Sequence, residues 1–411
     1  MPDRMLESST PEEQGLSTDA LARVDAALQQ KVDARAIAGA VTLVARHGRV
    51  VHTSIVGVDN RRTRKPLELD TIFRIFSMTK PITGLAMMIL RDEGRWRPED
   101  RIDQHLPELA GLKVFAGVNQ RGAPVLEEPR HAPTMLELMT HLAGFSYGTN
   151  RKDPVDRLYS KQKLLRATGL DDFIERLARL PLHHQPGTSW KYSISMDVQG
   201  AIIQRLSGQS LGEFMSERIF EPLGMVDTAF FTPPEKLGRR ATLYFSGGPV
   251  RLRPVRNLLF KDAAAAPALE MGGAGLVSTV GDYARFCQLL LNEGEWNGAR
   301  IVSAEAIREQ LTNHLPPELM KQSWTTGHMR FRPGFGYGYN GVVFYDPQLA
   351  ELPVGRGTYM WDGAADTWFW VDPENDLLYV GLTQLLSYKA PALQELTQRL
   401  MGDAILGGAH Q

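Results

Sequence analysis

The 411-residue chain predicts an α+β fold whose antiparallel sheet draws on both ends of the sequence. Three observations predict it. Residues 38–53 carry two β-rich runs around His47-Gly48, the pattern of a hairpin. Residues from about 78 to 235 are mostly helical in pattern. Beyond about 240 the texture changes, and short apolar runs at 358–361, 368–371 and 377–382, separated by turn residues, suit antiparallel strands.

In order along the chain, residues 17–32 place Leu21, Val24, Leu28 and Val32 at helical spacing and predict an opening helix. The hairpin follows, and then a helix from about Ser77 to Glu93. Residues 101–109 and 134–141 read as short helices, and 170–180, 196–206 and 211–220 as longer ones, the last closed by Glu221-Pro222-Leu223-Gly224. Gly247-Gly248-Pro249 and residues 251–254 mark a connection. Residues 262–271 are Ala-rich and are expected to form a mobile flap or part of a cleft wall. A helix from Asp282, a Gly- and aromatic-rich strand at 335–344 and a closing helix at 390–405 complete the layout.

Bulk composition narrows the function classes. Net charge is −1, with 43% hydrophobic and 23% charged residues, ordinary for a soluble globular protein with room for two domains. That balance argues against nucleic acid and anionic membranes as partners. The N-terminal stretch is polar and acidic, and no apolar run approaches the roughly 20 residues that span a bilayer. One cysteine, Cys287, leaves no internal disulfide, and its helical surroundings read as core. The expected compartment is the cytoplasm, and oligomeric state is left open.

The chemistry concentrates at Ile75-Phe76-Ser77-Met78-Thr79-Lys80-Pro81. An extended segment precedes it and an apolar helix follows, so Ser77 falls at a strand-to-helix transition. Lys80 lies three residues on and shares a helical face with Ser77. Pro81 belongs in a first helical turn and pins the helix start nearby. A serine hydroxyl needs a base to become a nucleophile, and a lysine becomes that base only when burial lowers its pKa. The apolar residues 84–90 can supply the burial. The plain alternative is a helix-capping serine with a solvated lysine.

Two later segments could complete such a site. Tyr192 lies in a Gly/Pro-punctuated loop, where its phenol could work as a base beside a cation such as Lys80; the alternative is a hydroxyl that ties down the loop. Lys80 and Tyr192 would titrate as a unit. Trp361-Asp362-Gly363 sits in an aromatic strand whose glycine suggests a close approach by backbone or ligand, and whose N–H groups could meet an oxyanion; the alternative is a core strand.

In this order and at these spacings, Ser77-Met78-Thr79-Lys80, Tyr192-Ser193 and Trp361-Asp362-Gly363 resemble the motifs of serine β-lactamases and penicillin-binding proteins, closest to the family VIII carboxylesterases. Leu136 to Phe145, Asp197-Val198-Gln199-Gly200, Pro222-Leu223-Gly224-Met225 and Gly273 to Thr279 extend the likeness over nearly the whole chain. The resemblance implies a β-lactamase/transpeptidase-like fold. Residues 1–76 and 236–411 would form a discontinuous α/β domain, residues 77–235 a mostly helical one, and the site would lie between them. It further implies Ser77 as acylated nucleophile, Lys80 and Tyr192 as base system, and the N–H groups of Ser77 and Ala364 as oxyanion hole. Trp361, Asp362, Gly363 and Tyr147 would contact substrate. The expected activity is hydrolysis of short- to medium-chain acyl esters, with acyl transfer, or β-lactamase or D-amino-acid peptidase activity, as alternatives.

Four positions depart from the pattern of the lactam-recognising members or of the esterases. Trp361 replaces the Lys that would hold a substrate carboxylate, and Asp362 would repel one if it faced the cleft. Asp366 stands where the esterases often have Gly. Ile194 replaces a common amide. The expected substrate is therefore a neutral small-molecule ester. Trp361, Trp368, Tyr337 and Tyr339 could line its pocket.

Two motifs are set aside. Gly144-Phe145-Ser146-Tyr147-Gly148 matches G-x-S-x-G without the strand-to-helix elbow that motif requires. Gly336 to Gly341 matches G-x-G-x-x-G with no helix after it. No metal or cofactor is expected, and His183-His184 read as solvent-facing.

Overall fold

The computed structural model describes residues 7–247, 252–255, 265–326, 329–387 and 391–406. Its centre is a seven-stranded antiparallel sheet. The strands are β1 (Gly39–Arg46), β2 (Arg49–Gly57), β3 (Phe335–Tyr337), β4 (Val342–Phe344), β5 (Tyr359–Gly363), β6 (Thr367–Asp372) and β7 (Leu377–Leu382). Their order is β3-β4-β5-β6-β7-β1-β2. The N-terminal hairpin joins the C-terminal strands through β1 and β7, from Val41 opposite Leu382 to Arg46 opposite Leu377. The hairpin turn takes left-handed φ at both His47 and Gly48, as a two-residue turn matching strand twist requires.

Helices cover both faces of the sheet, which is why β6 and β7 are buried at every residue and read as unbroken apolar runs. The helices used below are α1 (Thr18–Asp33), α2 (Thr79–Asp92), α3 (Ser195–Ser207), α4 (Val280–Leu291) and α5 (Leu393–Gly402). Adjacent residues of β6 point to opposite faces. The Trp368 indole donates to Thr397 of α5 at 3.1 Å, while Phe369 packs on Tyr283 of α4 with ring centroids 4.9 Å apart. Cys287 of α4 is fully buried.

Helix α2 is buried from Thr79 through Leu90. Its large apolar side chains each contribute about 1.5–3 kcal/mol of burial, which offsets the cost of taking Lys80 out of water. It packs against α3 and the helix Ala304–Gln310.

The structure departs from the sequence expectations in four places. The 335–344 run is two strands, β3 and β4, separated by a tight turn with Asn340 at φ 61°. The middle of the chain contains a largely exposed hairpin of Val114–Val118 and Pro124–Glu127, whose short strands carry little apolar pattern. A helix Pro154–Gln162 stands between the expected elements at 134–141 and 170–180, because the Asp153 side chain caps it and Pro154 suits its first turn. The closing helix begins at Leu393, and residue 390 lies outside the described residues. Residues 262–264 of the Ala-rich stretch and 248–251 of the connection also lie outside them. Among the described residues no helix is long and apolar enough to cross a membrane.

Candidate active site

Ser77 lies in a 3-10 turn, Phe76–Met78, that runs into α2 two residues later. The preceding Phe76 has φ 45°, a left-handed backbone rarely adopted by an aromatic residue. Packing of Phe76 against Leu243 and Ala365 holds it there. The segment is tied from three sides. Ile75 donates to the Leu276 carbonyl at 3.1 Å, the Thr367 hydroxyl donates to the Ile75 carbonyl at 3.2 Å, and the Tyr283 phenol donates to the Met78 carbonyl at 2.9 Å.

The three residues expected to act together do meet. Lys80 Nζ donates to Ser77 Oγ at 3.1 Å and Tyr192 OH donates to the same oxygen at 2.8 Å. Lys80 Nζ also donates to the Gly273 carbonyl at 2.6 Å. Lys80 is fully buried, and its ammonium lies over the rings of Tyr192 at 4.7 Å and Tyr147 at 5.4 Å. Burial pushes the Lys80 pKa down to about 7, against an opposing pull from Asp197 and Asp362. Burial pushes Tyr192 upward despite its hydrogen bond to Ser77. Burial thus favours the protonated form of the Tyr192 phenol and the neutral form of the Lys80 amine.

The third segment meets Ser77 through β5. Pairing with β4 covers only Tyr359 and Met360, so among the described strands β5 has a free edge from Trp361 onward. A tight turn follows, closed by Asp366 N–H to the Gly363 carbonyl at 2.9 Å. Asp366 has φ 57°, which aspartate tolerates better than most side chains, so the turn forms without glycine there. Ala364 is exposed at its tip and Ala365 is buried.

The expected substrate contacts divide. Trp361 is fully buried and packs on Tyr192 and Tyr337 with centroids 5.6 Å from each, and His141 and Trp190 extend this buried aromatic wall. Asp362 alternates to the other face of β5. There it lines a groove with Trp368, Leu393 and Gln398, and burial raises its pKa to about 7. Trp368, turned toward α5, is not part of the wall. Nor is Tyr339, whose phenol donates to Glu309 at 2.9 Å and whose ring stacks on His314. Ile194 is buried ahead of α3.

Three contributors carried little signal in the sequence. Asn340, from the β3–β4 turn, donates to the Lys80 carbonyl at 3.0 Å and exchanges hydrogen bonds with Gln199 of α3. Gln310 donates to the Pro81 carbonyl at 3.0 Å. Gly273 stood in the sequence only as part of a supporting stretch, with no role of its own.

Ser146 is fully buried and donates to Asp156, which also accepts from Asn150 N–H at 2.7 Å and lies 3.5 Å from Lys191 Nζ. These contacts join the loop of Tyr147 to that of Tyr192. Asp153, Asp156 and His183 form a cluster of metal-ligating types. Their atoms are engaged with one another and with backbone: Asp153 accepts from Asp156 N–H at 2.9 Å and meets His183 Nε2 at 2.9 Å. His183 thus pairs with a carboxylate instead of simply facing solvent.

A seven-stranded antiparallel sheet under helices, with Ser-x-x-Lys heading a buried helix beside the sheet's free edge, defines a protein of the serine β-lactamase type. The pattern of the Beta-lactamase family matches residues 24–400, and the chain belongs to that family. It is 35% identical over 365 residues to Protein Rv1367c of Mycobacterium tuberculosis, covering 87% of this chain and 88% of that one. It is 30% identical over 370 residues to Esterase EstB of Burkholderia gladioli, covering 85% and 86%. Its structure is similar to that of EstCE1, a hydrolase with promiscuous acyltransferase activity, with TM-score 0.75 and 26% identity over 94% of this chain and 98% of that one.

Proposed function

We propose that this chain is a serine carboxylesterase that cleaves short- to medium-chain acyl esters through an acyl-enzyme on Ser77. One observation carries the reading: the Ser77 hydroxyl is held between a fully buried Lys80 amine at 3.1 Å and the Tyr192 phenol at 2.8 Å. Neutral Lys80 takes the Ser77 proton as Oγ attacks the ester carbonyl. The N–H groups of Ser77 and Ala364 receive the oxyanion. As the C–O bond to the alcohol breaks, Tyr192 gives its proton to the leaving oxygen and regains one from the Lys80 ammonium. Water then repeats the sequence on the acyl-enzyme and restores Ser77. Trp361 offers no cation to a substrate carboxylate, which favours neutral esters over β-lactams and D-amino-acid peptides. Similarity to a named esterase supports the same class.

A second reading keeps the acyl-enzyme and passes the acyl group to an alcohol. The similarity to EstCE1, a hydrolase with promiscuous acyltransferase activity, favours it. The test is p-nitrophenyl butyrate turnover by wild type, Ser77→Ala and Ser146→Ala, with intact-mass detection of the acyl adduct and product analysis with added alcohol. Loss of turnover and adduct in Ser77→Ala alone is the expected result. Loss in Ser146→Ala with Ser77→Ala active would refute the reading. Ester product with added alcohol would assign acyl transfer.

A further inference from the structure

Asp197 sits in the first turn of α3 and is fully buried. Its Oδ1 accepts the Gly273 N–H at 2.9 Å. Gly273 in turn accepts Lys80 Nζ on its carbonyl at 2.6 Å, so one residue links the carboxylate to the lysine. Among the described residues, Asp197 Oδ2 has no hydrogen-bond partner. It packs against the bare Cα of Gly273: a Cβ there would lie 2.9 Å from Oδ2 and 3.0 Å from the Tyr147 hydroxyl. A fully buried carboxylate with one oxygen unpaired among the described residues is an expensive arrangement unless a nearby positive charge compensates it.

The surroundings of Lys80 identify that charge. The groups around it are the Tyr147 and Tyr192 rings, neutral His141, and the carboxyls of Asp197 and Asp362, of which Asp197 has the larger effect. Asp362 belongs to the opposite face of β5. When Lys80 takes the Ser77 proton, an ammonium forms on a fully buried side chain, and Asp197 is a buried group of opposite sign on its own side of the sheet.

We propose that Asp197 is the positioning residue of Lys80, holding Gly273 as its hydrogen-bond acceptor and stabilising the ammonium formed when Ser77 is deprotonated. The proposal rests on the Ser77–Lys80 reading above. It gives a role to a carboxylate that stands three residues after Ile194, the position at which relatives carry an amide. Asp197 touches no reacting atom. It acts through Lys80.

The variant that separates charge from packing is Asp197→Asn, which retains an acceptor for Gly273 N–H. Its p-nitrophenyl butyrate kinetics across pH are compared with wild type and Asp362→Asn, alongside thermal melting and Ser77 labelling by a fluorophosphonate. With its negative neighbour gone, the ammonium is less favoured and Lys80 loses its proton at lower pH. The acid limb of kcat/KM is therefore expected to move down by about one unit, while kcat on the plateau falls at least about tenfold and KM holds. Asp362→Asn is expected to move the limb less. A folded Asp197→Asn with wild-type kcat and an unmoved limb overturns the proposal. So does a full-unit shift in Asp362→Asn, which decides the matter even if Asp197→Asn does not fold. A wild type that is never labelled at Ser77 would instead fail the esterase reading, and this proposal with it.

Discussion

Gly363→Ala tests how closely the turn after β5 must approach the nucleophile. A Cβ at this position would fall well inside contact with both Thr367 Oγ1 and the Ile75 carbonyl oxygen, where ordinary contact begins at 3.4 Å. Thr367 and Ile75 are themselves hydrogen-bonded, and Ile75 is two residues from Ser77. The added methyl therefore cannot be absorbed by a flexible side chain, and β5 must separate from the Ser77 segment by roughly 1 Å. A displacement of that size between reacting groups costs about 100-fold in rate. Overpacking of a tight site costs about 1–3 kcal/mol of stability. The assay is kcat on p-nitrophenyl butyrate, with urea unfolding of the same preparation. We expect kcat to fall about 100-fold with KM changing much less, because the proposed loss is in the oxyanion's position and not in ground-state contacts. Wild-type kcat in a folded Gly363→Ala would refute the close approach as a catalytic requirement, and with it the assignment of the Ala364 N–H to the oxyanion hole.

Three further outcomes follow from the same geometry. Wild-type kcat/KM should rise with pH through about 7, since protonated Lys80 cannot accept the Ser77 proton; a flat profile from pH 5 to 9 would remove Lys80 from the base role. Asn340→Ala should lower stability by about 2–4 kcal/mol in urea unfolding, because the buried Gln199 side-chain oxygen loses its Asn340 donor, while Gln199 keeps only its bond to the Leu138 carbonyl, and the Lys80 carbonyl loses its donor as well; an unchanged midpoint would contradict that accounting. Ser146→Ala should keep activity but lose about 1–3 kcal/mol, as buried Asp156 gives up one of its donors; unaltered stability would show that the Ser146–Asp156 contact carries no weight.

Local pattern made much of the architecture legible. The His47-Gly48 turn, the β6 and β7 runs and the apolar face after Lys80 each follow from short-range preferences, and the structure places elements within a few residues of those expected. The 335–344 stretch reads as one strand because its aromatic residues have high strand propensity, while the turn inside it depends on Asn340 reaching across to Lys80 and Gln199. Trp368 and Tyr339 were candidates for the pocket because aromatic side chains suit both pockets and cores. Only the pleat of β6 and the partners Thr397 and Glu309 assign them elsewhere.

What the sequence by itself determined is the identity and order of the reactive groups: a serine and a lysine one helical turn apart, a tyrosine in a later loop, and a glycine-bearing strand near the C-terminus. Helical spacing brings Ser77 and Lys80 together without help from the rest of the chain. Tertiary structure alone decided their protonation and their support. Enclosure of α2 from Thr79 to Leu90 pushes the Lys80 pKa down to about 7, and burial against Trp361 and His141 pushes the Tyr192 phenol upward. Asp197 and Gly273 come to Lys80 from distant segments. Desolvation depends on every residue that surrounds a charge, and so it cannot be read from the few residues that carry the motif.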